Sequence, residues 1–486
     1  MKVDKFGLNV RQLDRWLAGD YKIGPRASQC AVLEAVFDYS VEELLGPANL
    51  ADFGHRRQGA QRGRRGRRLM KCEDFVGWLA VHSGEAVDHV YSLVADGADD
   101  LAALTPSARA GYDHARSVLA RSVIADAVHA FYGRTPTGFY RARIGDGPEV
   151  ALSVLSDPDW IGLDIPLDTE HELARVITPD DATTAPIHPA VFRAAVKRLA
   201  VVEEGDATLY DRPLFRLIGV NVEKGRLAAT FAVASFAAYA LTVDLMETEL
   251  LESLVAGHEK STFPVRARYL PSIAAATAYE HRLCAGGVVC LLAIARDDDY
   301  WLIVQERSSR VLNAVGRLAV VPKAFHQPLT DTRDCALSST INRELEEELL
   351  GREELDQMSP ESRSRVVPGH LSAMSAPMRW LHDHPGSYLL GCTAFGINML
   401  SGNYEFACLA IIDDPSWWSA HAGSLQSNWE VHQTHGYSSL DAEGLAKVVA
   451  DPRWSNEGLF AFLEGLRSLA RHDPGKVRLP KIEVIP

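Results

Sequence analysis

What this chain has little of narrows the field first. Its seven cysteines include no Cys-x-x-Cys pair, and an odd number strewn from Cys30 to Cys408 argues for reduced thiols over a disulfide framework. Basic excess is missing as well. The formal net charge is -14, so a surface coated throughout in phosphate-binding cations is excluded and any nucleic-acid contact has to be local. No apolar run has the length of a membrane span; the longest uncharged stretch, Leu227 to Val243, holds Thr230, Ser235 and Tyr239 and reads as a buried strand followed by a helix. The segment from Met1 to Asn9 carries Lys2, Asp4 and Lys5 with no apolar run behind it, unlike a secretory signal. No repeat of fixed period stands out, which removes solenoids and propellers. These absences lead us to expect a cytoplasmic protein with no membrane partner.

What is present points to a folded chain of more than one domain. At 486 residues it exceeds what one hydrophobic core usually supports, and 47% hydrophobic with 23% charged residues is ordinary globular composition. Val10, Leu13, Trp16 and Leu17 recur at helical spacing behind Asn9. Pro25 opens a second helix with Val32, Leu33, Val36 and Phe37 on its apolar face, and Ser40 with Glu43 makes a capping box before Gly46-Pro47. These residues resemble the C-terminal part of an Xre-type helix-turn-helix domain, with 10–19 where the recognition helix would lie and only nine residues ahead of it. Next, Arg56, Arg57, Arg62, Arg64, Arg65, Arg67, Arg68 and Lys71 are interleaved with Gly59, Gly63 and Gly66, and no acid interrupts them. Such a run is either a phosphate-tracking arm for DNA or a solvated tether; it has no aromatic residue for base stacking.

Helices dominate from Cys72 to Tyr132, with Thr105-Pro106 as a helix start and Gly133 as a stop. From Glu149 the pattern is mixed, and 217–222 with 226–232 flank Glu223-Lys224-Gly225 as a hairpin ahead of a helix over 243–255. His188, His258 and His281 are isolated and read as surface or packed histidines.

After Gly286-Gly287 come three strands, 288–295, 300–305 and 317–321, and then a helix whose buried stripe is Leu337, Ile341, Leu345 and Leu349. On its flank Glu344, Glu347 and Glu348 stand at i, i+3 and i+4 and share one face. Like charges at that spacing repel, by roughly 0.2–0.5 kcal/mol per exposed pair, and a hard divalent cation such as Mg or Mn would reverse the sign. With a metal neutralising a diphosphate, one carboxylate is then available to take a proton from attacking water, and Arg343 can orient a carboxylate by an ion pair. The alternative is a charged helix face in solvent.

The order of these elements, with the run Arg343-Glu344-Leu345-Glu346-Glu347-Glu348, resembles the Nudix family and the second half of its box. The front half departs from the pattern. Strict spacing puts Leu329 and Cys335 where the family has glycine and glutamate, Lys323 and Ala324 stand for the usual glycine pair, and Leu350 precedes Gly351 at the closing glycine. Asp331 or Asp334 can substitute for the missing glutamate. Further strands at 386–398 and 404–412 and a helix at 459–470 suit the family's mixed-sheet sandwich. The resemblance implies an additional downstream acid, for which Glu405 and Glu430 are available, although both read more simply as surface charge. His382-x-His384 reads as a loop feature.

The expected fold class is thus α+β and multidomain: partial helix-turn-helix-like helices over 1–55, a basic linker over 56–71, a mixed helical and α/β middle domain over 72–285, and a Nudix-like α/β/α sandwich over 286–486. Three functions remain open. One is a regulator-like protein that binds a nucleoside diphosphate derivative and is coupled through residues 10–17 and 56–71 to DNA or a protein. The others are a Mg-dependent pyrophosphohydrolase, with Arg343, Glu344 and Glu347 catalytic and Glu344, Glu347 and Glu348 on the metal, and an inert Nudix fold serving as a protein-interaction scaffold.

Overall fold

The computed structural model describes residues 71–104, 119–133, 138–178, 187–205, 209–223, 225–257, 262–308, 316–328, 335–350, 352, 374–425 and 431–485. The helix-turn-helix-like segment, the basic run up to residue 70, Thr105-Pro106, His258, Leu329, Asp331, Asp334, Gly351 and Glu430 lie outside them.

Among the described residues three helices come first: α1 (Glu73–Ser83), α2 (Val87–Ala102) and α3 (Arg121–Tyr132), the last stopping at Gly133 as the sequence predicts. Strands β1 (Phe139–Ile144), β2 (Glu149–Leu155), β3 (Ile165–Pro166) and β4 (Glu172–Val176) follow, then helix α4 (Pro189–Glu204), which His188 caps through its ring nitrogen. The expected hairpin is β5 (Pro213–Glu223) with β6 (Arg226–Ser235), and helix α5 (Leu245–Val255) comes after it. The second half runs β7 (Gly286–Ala295), β8 (Tyr300–Arg307), β9 (Leu318–Val320), β10 (Lys323–Phe325), α6 (Leu337–Leu349), α7 (Ala376–Asp383), β11 (Tyr388–Asn398), β12 (Asn403–Ile412), β13 (Val431–Ser438), α8 (Asn456–His472) and β14 (Ile482–Ile485). His382 therefore closes a helix instead of lying in a loop, and His384 stacks on Trp380 just beyond it.

These strands make a mixed sheet in the order β13-β8-β7-β12-β11-β2-β1-β14, with β9, β10 and β3 joined at its sides. Only the β7–β12 pair in it is parallel among the described strands. A second sheet has the order β4-β6-β5. Every residue of β7 is buried, and its side chains alternate between two cores: Val288, Cys290, Leu292 and Ile294 on one side, Val289, Leu291, Ala293 and Ala295 on the other. The first core takes the stripe of α6 and the apolar residues of the middle region, and the second takes Leu459, Phe460, Leu463 and Leu466 of α8. The central sheet thus has helices on both faces.

The boundary read at residue 285 is crossed by the sheet itself, since β11 pairs with β2 through Ile397 and Leu155, and β1 lies between β2 and β14. Residues 70–486 form one compact unit. Two buried arginines tie the helical region to the β11–β12 turn. Arg266 donates to the carbonyls of Met246, Met399 and Leu400 and to the Tyr132 hydroxyl. Arg198 pairs with Asp244 at 2.5 Å, and Asp244 in turn accepts from Tyr239, whose hydroxyl accepts from Asn403. Buried charges with this many partners avoid the several kcal/mol that an unpaired one costs. Among the described residues no helix is long and apolar enough to cross a membrane.

Candidate functional site

Helix α6 has no side-chain cap of its own at Ala336. Its first turn is held instead by Glu172 of β4, whose carboxylate accepts from Leu337 N and from the Ser338 hydroxyl. An anion at this end also meets the positive pole of the helix. The stripe Leu337, Ile341, Leu345 and Leu349 is buried as predicted, which fixes the rotation of the helix and so the direction of its acids.

That direction is inward. The side chains of Glu344, Glu347 and Glu348 expose 12%, 5% and 1% of their surface, so the acids are not a solvated helix face. Arg343 reaches two of them, with Nη1 at 2.5 Å from Glu344 and 3.7 Å from Glu347. Glu348 turns toward the sheet, where Gln305 Nε2 of β8 stands at 3.5 Å and the backbone N–H of Lys323 in β10 at 3.4 Å. The run also carries Glu346, to which the sequence reading gave no role. It is buried, pairs with Arg352 and accepts from Ser375 N at 2.7 Å.

A second acidic group lies beside the first, and the link is Lys323. Its Nζ pairs with Glu457 of α8 at 2.5 Å, and Glu457 also accepts from Asn398 Nδ2. Burial acts most strongly and would raise the Glu457 carboxyl, but the adjacent Lys323 ammonium, together with hydrogen bonds from the Glu457 backbone N–H and from Ser455, outweighs it and holds the group below the usual range. Glu405 of β12 is the opposite case. Burial first, and then the negative charge of Glu457, push its carboxyl well above the ordinary value, against the pull of Lys323. Glu405 is therefore not the surface charge expected from the sequence: it stands in a strand buried on both faces. Its flanks Tyr404, Phe406 and Ala407 carried that signal, because an acid inside a continuous apolar strand has no solvent face to occupy.

His326 had no signal in the sequence. It follows β10, is fully buried between the rings of Phe215 and Phe231, and has Tyr404 Oη 3.4 Å from Nδ1. Burial, with the nearby Arg343 cation adding to it, lowers its imidazolium to about 3, so the ring is neutral at ordinary pH.

The backbone at this corner is set by the two glycines that open β7. A Cβ on Gly287 would stand 1.8 Å from the Ala324 carbonyl oxygen, and one on Gly286 2.0 Å from that of Tyr404. Close approach of β10 and β12 to β7 thus depends on glycine at both places.

Oxygen donors on one helix suit a hard cation in kind, but the acids lean on protein donors: Arg343, Arg352, Gln305 and the backbone of Lys323 and Ser375. Among the described residues no group of three or more His, Cys, Asp or Glu side chains is placed to hold a metal ion. Each of these acids thus has a protein ion-pair or hydrogen-bond partner among the described residues. What the arrangement presents is a buried network of acids, crossed by Arg343, Arg352 and Lys323, at the junction of α6, β10 and β12. Comparison with protein-family models and with curated proteins gives no match to this chain.

Proposed function

We propose that this protein is a ligand sensor: the Nudix-like part of the 70–486 unit, residues 286–486, binds a nucleoside diphosphate derivative without cleaving it. The N-terminal segment 10–17 and the basic run 56–71 pass that state to DNA or a protein partner. The ligand class comes from the resemblance of the strands and the run 343–348 to the Nudix family. The absence of cleavage comes from one observation: Arg343 already ion-pairs Glu344 and Glu347, while Lys323 stands where the family has glycine and pairs with Glu457. Carboxylates whose charge is compensated by fixed cations have less to gain from a divalent ion than bare ones.

A Mg- or Mn-dependent pyrophosphohydrolase is the second reading, favoured by the inward direction of Glu347 and Glu348. An inert scaffold is the third. Calorimetric titration with a panel of nucleoside diphosphate compounds, with and without Mg, separates the three. Saturable binding that needs no metal supports the sensor, metal-dependent binding supports the hydrolase, and no binding at all leaves the scaffold. For the DNA arm, the sensor reading expects a salt-dependent gel shift that is lost when residues 56–71 are deleted.

A further inference from the structure

Three of the cysteines stand side by side across the middle of the central sheet. Cys408 of β12 is in register with Cys290 of β7 on one side and with Cys392 of β11 on the other. All three are fully buried in the core that also takes the apolar stripe of α6. The Cys392 thiol donates to the Ala394 carbonyl and the Cys408 thiol to the Phe406 carbonyl, next to the bulge in β11 between Cys392 and Ala394.

Opposite residues of an antiparallel pair have Cβ atoms about 4.5–5.5 Å apart, and a disulfide needs about 3.5–4.5 Å. The approach required is therefore on the order of 1 Å, and a bulge is where a strand yields most easily. The row shares its core with Leu337, Ile341, Leu345 and Leu349 of the acidic helix. Cys290 lies within electrostatic reach of Glu348 near the end of α6, and Cys408 within reach of Glu172, which holds its first turn.

We propose that Cys392 and Cys408 are a peroxide-oxidisable dithiol, and that closing it into a disulfide changes how α6 is bedded on the sheet. A peroxide transfers one oxygen to the first sulfur, giving a sulfenic acid and releasing water when the peroxide is hydrogen peroxide. The second thiol sulfur then attacks that sulfur, the S–O bond breaks, and the hydroxyl leaves as water with the thiol proton. The two thiols lose two electrons and the peroxide gains them. Burial raises the Cys408 thiol, so the reaction is slow and speeds up with rising pH. This thiol chemistry is independent of whether α6 handles a nucleotide.

The test treats the full chain with hydrogen peroxide, then alkylates it in denaturant and maps the peptides without reductant. The expected result is a linked peptide pair containing Cys392 and Cys408, reversed by dithiothreitol, with amide exchange over 337–349 altered in the oxidised protein. Cys290→Ala retains the link and Cys392→Ala abolishes it, and the wild-type map decides the matter should either variant fail to fold. Unlinked Cys392 and Cys408 after treatment, a link to another cysteine, or a link that leaves exchange over 337–349 unchanged would overturn the proposal.

Discussion

Lys323 serves two acidic groups at once, through its backbone N–H to Glu348 and its ammonium to Glu457. Its side chain is the cation that holds Glu457 ionised inside the protein. Lys323→Met should therefore cost about 3–5 kcal/mol in chemical denaturation, since it strands a buried carboxylate. Adding Glu457→Gln should restore much of the loss, whereas a loss unchanged in the double variant would mean that the stem packing of Lys323 matters and its charge does not. His326 governs acid stability in a different way. Its folded value, about 3, lies below the ordinary 6.5. The group's contribution is thus present above the unfolded value and is lost as pH falls through the window between the two, to a limit of ~5 kcal/mol. His326→Phe keeps an aromatic ring between Phe215 and Phe231, and it should flatten the fall in melting temperature across that window. An unaltered pH profile would place the acid sensitivity in another group.

At the scale of elements, the corner where β7, β10 and α6 meet depends on backbone contact. Gly287→Ala forces β10, and with it Lys323, away from β7, because the added methyl meets a carbonyl oxygen that no rotamer change can move. A loss of about 1–3 kcal/mol or more in the denaturation midpoint is expected. An unchanged midpoint would show that β10 shifts freely. The elements of this half were legible in the sequence because their signals are local. Helix α6 announces itself by Leu337, Ile341, Leu345 and Leu349, and β7, β8, β11 and β12 by apolar runs between turn residues. The acids of α6 were legible as a set, and their burial follows from the stripe beside them. Glu405 was named as an available acid but misread as surface charge, and Glu457 and His326 were not recognised, since what defines these two is a contact with a distant element: Lys323 for the acid, Phe215, Phe231 and Tyr404 for the histidine. The cap on α6 was hidden for the same reason, since Glu172 lies 165 residues before Leu337.

For the molecule as a whole, the pairing of β1 and β2 with strands from the other end of the chain removes the independence that a boundary at residue 285 would imply. Sequence patterning marks where a strand is and does not say which distant strand it pairs with, so this joining was not readable in advance. A fragment of residues 286–486 would expose β11 along the edge that β2 covers, and also the core face that the middle region fills. It should show no cooperative thermal transition, while a sharp two-state melt of that fragment would contradict a shared core. The most direct measurement on the functional account is a single-turnover assay, with protein in excess over each of a panel of nucleoside diphosphate compounds in the presence of Mg. The sensor account predicts recovery of the bound compounds intact. Cleavage at the diphosphate that disappears in Glu347→Gln or Glu348→Gln would contradict it.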